Sequence, residues 1–421
     1  MLKQVFESDF GESYVKCEHE SGLQIYIFEK PLYNSAYALF GTKYGSIDNV
    51  FSVNGEETAV PEGIAHFLEH KLFESEDGDA FTRYAETGAY ANAFTSFDKT
   101  CYLFKCSSRF YENLEILLDF VQSPYFTAAT VQKEQGIIGQ EIRMYDDSPG
   151  WRVMFNMLLA MYKNHPVRID IAGTVESIGE ITDELLYKCY NTFYNPQNMF
   201  LCIAGNVETE KILKMVEEQL KPRERFELCR IMPEEPDEIV KPYVEQSLEV
   251  VIPLFCFGYK EKADRPFTLK EKICISVLME MILGEASPLY KKLINEGLIN
   301  DEFGSEHFIG QGYASVIFEG ESGDPKRVAE EIKAEVTRLK EEGLNKKLFN
   351  AVKTNFYGNH IRNFNSVENI AMDLVDCAME NYDLFEEIKC LKSITVDDVY
   401  KCLAFLDNDK TVLSVVVPKE K

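Results

Sequence analysis

Basic side chains are scarce in this 421-residue sequence: 44 Lys and Arg stand against 70 Asp and Glu, a net charge of −26 and a pI near 4.7. That balance excludes a protein whose main partner is a nucleic-acid backbone, because phosphate contacts need a basic patch. A run of 18 apolar residues is also missing. The longest apolar stretch, residues 153–162, is closed by Arg152 and Lys163, contains Asn156, and is too short to span a bilayer. The start, Met1-Leu2-Lys3-Gln4 followed by Glu7 and Asp9, lacks the basic region, apolar stretch and cleavage site of a secretory signal. No cysteine pair has CxxC spacing and the total of eleven is odd, so the expectation is buried thiols in a reducing compartment rather than a zinc ribbon or disulfide framework. Together these absences predict a soluble, cytoplasmic protein with neither nucleic-acid nor membrane partners.

What remains is an ordinary globular composition, 45% hydrophobic and 12% aromatic, able to bury a large core. Its length suggests more than one domain, and an internal repeat points the same way. Residues 181–189 (ITDELLYKC) lie over residues 394–402 (ITVDDVYKC) without a gap, at an offset of 213 (402 − 189). Each copy runs into an apolar strand-like segment, residues 199–205 and 411–417. Between the halves, residues 221–246 hold Pro222, Pro233, Pro236 and Pro242 among many charges, the composition of an exposed linker. Each half opens with strand-like pieces, residues 36–44 and 248–259, and continues into helical patterns such as residues 111–121 and 325–342. The expected fold is α+β: two homologous domains, each a mixed, largely antiparallel sheet packed with helices, divided as residues 1–225, a linker 226–243, and residues 244–421.

The informative stretch is Gly63-Ile64-Ala65-His66-Phe67-Leu68-Glu69-His70. On a helix, His66 and His70 are one turn apart and project from the same face, so both imidazoles can reach one metal ion, with Glu69 beside them. This is H-x-x-E-H, the inverted zinc-peptidase motif. Only six histidines exist in the chain, and chance places two of them around a glutamate in this way in roughly one such sequence in a hundred. Imidazole nitrogen and carboxylate oxygen suit zinc, and a catalytic site keeps three protein ligands with the fourth position open. A water there becomes a nucleophile once a general base takes its proton, and Glu69 is placed to be that base. The third ligand should be acidic and on another element. Glu134 and Glu141, seven residues apart, share a helix face but stand roughly 10 Å apart along its axis, so only one can touch the ion and the other would support a ligand. Spacing alone leaves their order open.

On these residues the sequence resembles the insulinase/pitrilysin family of zinc metallopeptidases, and in particular its short bacterial members similar to the mitochondrial processing peptidase. The match extends through residues 92–102 (NAFTSFDKTCY), His165-Pro166 and Gly173-Thr174, and covers essentially the whole chain. The resemblance implies one Zn2+ per chain held by His66, His70 and Glu141, Glu69 as general base, and Glu134 as the supporting carboxylate. It implies that Asn92 and Ala93 lie on an edge strand to which a peptide substrate adds by backbone hydrogen bonds. The implied fold is half of a clamshell whose partner, a second chain or a second half, closes a chamber. One departure stands out: residues 287–301 (SPLYKKLINEGLIND) keep the family's leucine and glycine frame, but neither the Arg nor the Tyr that would stabilise an oxyanion stands where the pattern wants it. The expectation is therefore a zinc metalloendopeptidase working as a homodimer or as a heterodimer with a related chain that supplies Arg and Tyr. The alternative is a non-proteolytic or conditionally active subunit of such a two-chain assembly in peptide or protein maturation. Gly310-Gln311-Gly312 lacks the third glycine of a dinucleotide loop and is given no nucleotide role.

Overall fold

A computed structural model of the chain describes residues 2–76 and 78–419. They divide into two compact units, and each is built around one sheet. In the first unit the strand order is Leu2–Glu7, Ser13–Glu18, Gln24–Glu29, Met199–Gly205, Ala36–Thr42, Thr100–Cys106 and Tyr90–Thr95. Neighbours are antiparallel except Gln24–Glu29 and Met199–Gly205, which run parallel. The second unit has Tyr243–Leu248, Thr411–Pro418, Leu254–Lys260, Tyr313–Glu321 and Gly304–Gly310, with its one parallel pair between Tyr243–Leu248 and Thr411–Pro418. From Gln24–Glu29 onward the two sheets have the same strand order and the same strand senses. The repeat seen in the sequence is thus a repeat of topology: in each unit, the strand that follows the shared segment inserts between two earlier strands, parallel to one and antiparallel to the other.

The repeat also has a local cause. Thr182 and Thr395 are matching N-caps whose side chains accept from the Leu185 and Asp398 backbone N–H groups, so both copies start a helix at the same place. The two central strands of the first sheet, Met199–Gly205 and Ala36–Thr42, are buried at every residue, and their continuous apolar sequence suits a strand covered on both faces.

The compact units are not the linear halves of the chain. Residues 143–169 belong to the second unit and residues 361–386 to the first. The helix Pro149–Met161 packs on Thr411–Pro418, Leu254–Lys260 and Tyr243–Leu248. At this contact the ends of the Met157 and Met161 side chains lie against Gly258, where an added Cβ would sit 2.7 Å from Met161 Cε and 2.9 Å from Met157 Sδ. Reciprocally, Val367–Glu380 covers Met199–Gly205, Ala36–Thr42 and Gln24–Glu29 of the first sheet. Both helices carry wide apolar faces that a linear reading assigns to their own halves; packing assigns them to the other sheet. The connecting segment is structured as well. Leu228–Arg230 pairs with Val50–Val53 in the first unit. In the second, the Glu235 carboxylate accepts from the backbone N–H of Lys163, Asn164 and His165 at 2.9, 2.7 and 2.8 Å and from the Lys260 ammonium at 2.7 Å.

The most apolar helical stretch, Leu269–Asn295, is broken around Gly284 and contributes Ile275, Val277, Leu278, Ile282 and Leu293 to the core of the second unit. All eleven cysteines are free thiols, nine of them buried. Trp151 stacks on Tyr145 at 4.5 Å, a packing role, and Gly310-Gln311-Gly312 is the turn between two antiparallel strands.

Candidate metal centre

The helix Ile64–Leu72 turns Ile64, Ala65, Phe67, Leu68 and Leu72 into the core and leaves His66 and His70 on one face. It starts at Gly63, whose φ of 83° is left-handed and where an added Cβ would lie 2.3 Å from Ala172 O. Only glycine meets both demands, so residue 63 sets where the histidine face begins. Ser177 Oγ donates to Glu62 O at 2.9 Å and secures the same approach. The residues around Gly173-Thr174 therefore act as a buttress for the motif helix.

A second helix, Ala128–Asp146, carries both candidate glutamates to His70. They meet opposite nitrogens of one ring: Glu134 Oε1 is 3.0 Å from Nδ1, and Glu141 Oε2 is 3.5 Å from Nε2. Glu141 Oε1 is also 3.9 Å from His66 Nε2. One nitrogen from each histidine and one Glu141 oxygen lie within 4.8 Å of one another. Four ligands held tetrahedrally at zinc distances are separated by roughly 3.3–3.6 Å, so these three donors fit a zinc ion with little adjustment. Two imidazoles and one carboxylate are also the donor chemistry of an open catalytic site. His66 Nδ1 is buried and has no hydrogen-bond partner among the described residues, whereas His70 Nδ1 has Glu134.

The electrostatics follow from burial and charge. Burial, reinforced by the His70 charge, holds the His66 pKa well below its ordinary value despite Glu141 and Glu134, which keeps that imidazole neutral and free to ligate. Burial alone would also lower His70, but the Glu134 hydrogen bond and the Glu69, Glu141 and Glu134 charges outweigh it and raise the pKa. Burial of Glu134 is likewise overcome, by the His70 bond and nearby cations, and its carboxyl titrates below the usual range. Glu69, 8% exposed, is pushed up by burial against the opposing effects of the Thr95 bond and the His70 charge.

Glu69, His70, Phe73, Phe81, Asn92 and Ala93 line a cleft of about 670 Å³ in the first unit. Asn92 and Ala93 sit on Tyr90–Thr95, an end strand that pairs with Thr100–Cys106 and has no strand on its other side among the described residues. This end strand packs beside the motif helix. Thr95 Oγ1 donates to Glu69 Oε2 at 2.6 Å, a contact that no spacing rule in the sequence signals. The other histidines serve elsewhere: His165, 1% exposed, bonds to Gln311 O at 2.8 Å, and His307 pairs with Glu261 at 3.0 Å. In the second unit, Ser287 caps the helix Pro288–Asn295, and Tyr290 packs against Phe303.

Two sheets of one topology, with an H-x-x-E-H helix beside the end strand of the first, define a class. Residues 55–175 match the family model Insulinase (Peptidase family M16), and residues 180–356 match the model described as the Peptidase M16 inactive domain. The chain is 41% identical over 430 residues to the uncharacterized zinc protease YmfH of Bacillus subtilis, covering 100% of both chains, and it belongs to the insulinase/pitrilysin family of peptidases. It is similar to the crystal structure of an M16-like peptidase from Alicyclobacillus acidocaldarius, with 32% identity, a TM-score of 0.94, and coverage of 98% of this chain and 100% of that one. Pitrilysin shares the fold at 16% identity and a TM-score of 0.77, with this chain covering 47% of its length.

Proposed function

We propose that this chain is a zinc-dependent endopeptidase for peptides or unfolded segments. The carrying observation is the convergence of His66, His70 and Glu141 donors, with His70 and Glu69 opening onto a cleft that is also lined by Asn92 and Ala93 of an end strand with no further strand beside it among the described residues. His66, His70 and Glu141 would hold the zinc, and Glu134 would fix the His70 ring and its tautomer through Nδ1. A bound zinc ion supplies Lewis acidity, polarising a carbonyl and acidifying water. A peptide adds to Tyr90–Thr95 by backbone hydrogen bonds, which places its carbonyls along Asn92 and Ala93. Glu69, buried and with its carboxyl raised above the usual range by that burial, takes a proton from the attacking water and returns it to the leaving amine.

Besides Glu69, the cleft carries Glu74, Glu76, Asp79 and Glu134 against Lys133, which favours cationic peptides. The chain supplies neither Arg nor Tyr at the pattern positions in residues 287–301. This departure supports a two-chain assembly in which a related chain that carries them completes oxyanion stabilisation.

The test is zinc content and peptide hydrolysis for the wild type, His70→Ala and Glu69→Gln. The expected pattern is zinc lost in His70→Ala, and zinc kept with activity abolished in Glu69→Gln. A wild-type chain without zinc would refute the reading and favour a non-proteolytic subunit. Full activity of the isolated chain, unchanged by any partner, would refute the two-chain assembly.

A further inference from the structure

Glu69 sits on the helix Ile64–Leu72, but the hydroxyl that holds its carboxylate comes from the last residue of the end strand Tyr90–Thr95. Thr95 Oγ1 lies 2.6 Å from Glu69 Oε2 and 3.3 Å from Thr100 Oγ1. A threonine hydroxyl has one proton to give. Thr100 directs its own proton to Tyr44 O at 2.9 Å, so it offers Thr95 a lone pair only. The Thr95 proton therefore goes to the shorter, charged contact at Glu69. The far end of this relay is rigid: Tyr44 is fully buried, with its ring stacked on Phe193 at 3.9 Å. Thr95 and Thr100 are themselves paired in register across the two strands, which fixes the separation of the hydroxyls.

We propose that Thr95 is a positioning residue for the Glu69 carboxylate. Its hydroxyl commits Oε2 to the protein, fixes the rotation of the carboxylate, and leaves Oε1 for the proton that must be moved. This inference rests on the endopeptidase reading, in which Glu69 is the base. It also makes the end strand part of the machinery that aims the base.

The test compares Thr95→Val, which keeps the branched shape without the hydroxyl, with Thr95→Ser, which keeps the hydroxyl. Three measurements are made on the full chain: zinc content, kcat and KM on a quenched fluorescent peptide, and crystal structures grown without zinc. Thr95→Val should retain zinc and lower kcat about 10- to 100-fold, the range for losing one hydrogen bond to a charged acceptor, with KM within about threefold of wild type. Thr95→Ser should stay within about threefold of wild type in both constants. In the crystals, the Glu69 carboxylate should hold one conformer in the wild type and Thr95→Ser, and shift or split in Thr95→Val. The proposal is overturned if Thr95→Val keeps its kcat, if Thr95→Ser is as slow as Thr95→Val, or if Thr95→Val loses zinc as His70→Ala does. A wild-type chain that binds no zinc defeats the endopeptidase reading alone, and the Glu69 conformers in the zinc-free crystals still decide the role of Thr95.

Discussion

Replacing Glu134 and Glu141 separately by Gln separates the two roles that the geometry suggests for them. Glu134 meets His70 through Nδ1 at 3.0 Å, whereas Glu141 faces Nε2 of both histidines at 3.5 and 3.9 Å. Gln at 134 is isosteric and can still accept from Nδ1–H, so the bond survives but loses its charge. A charged acceptor adds roughly 1–2 kcal/mol over a neutral one, and supporting carboxylates of this kind are worth about 10- to 100-fold in metal affinity. Glu134→Gln should accordingly weaken zinc by about 10- to 100-fold. Glu141→Gln replaces the only anionic donor of the three by a weakly ligating neutral amide oxygen, so its loss should exceed the upper end of that range. Competition with a zinc-selective chelator at fixed pH reads both constants. Equal losses in the two variants, or a larger loss in Glu134→Gln, would refute the reasoning.

Zinc affinity should also depend on pH through His70, whose pKa in the folded chain is raised above 6.5. Below that raised value a proton competes with the metal, so affinity should fall about tenfold per pH unit, as titration calorimetry at several pH values would show. The zinc-free chain should behave oppositely. The contribution of His70 to its stability is complete below the unfolded value of 6.5 and is lost as pH rises through the higher folded value, which denaturant titrations at graded pH would measure. Gly63→Ala forces a left-handed φ of 83° on a Cβ that meets Ala172 O at 2.3 Å. The expected cost is about 2 kcal/mol or more, with weakened zinc retention, and an unchanged melting curve would contradict it. A chain ending at residue 231 keeps the motif but lacks Val367–Glu380, leaving the central strands of the first sheet uncovered. It should bind hydrophobic dyes and melt without cooperativity, whereas a cooperative, zinc-binding product would count against the exchange of helices as a folding requirement.

Much of the site was legible locally. His66, Glu69 and His70 lie within five residues of one helix, so their relation follows from the pitch of the helix and needs no tertiary information. The repeat was legible for a similar reason: a threonine cap and a following apolar strand are short-range patterns, and both copies survive in sequence. Glu134 and Glu141 were visible as a pair but not in their order, since one helix face presents both equally. What separates them is the placement of the helix Ala128–Asp146 against His70, with Glu134 at one ring nitrogen and Glu141 at the other.

By itself, then, the sequence determined the chemistry on offer: the donor types, their helical spacing, the duplicated element order and a charge balance unsuited to phosphate. Those properties are carried by neighbouring residues and by totals. The tertiary structure decided what no neighbour relation carries, because each case joins residues far apart in the chain through packing or a single hydrogen bond. Pro149–Met161 and Val367–Glu380 each cover the sheet of the opposite half. Glu134 and Glu141 take opposite sides of one imidazole. Thr95, 26 residues from Glu69, delivers its proton to that carboxylate.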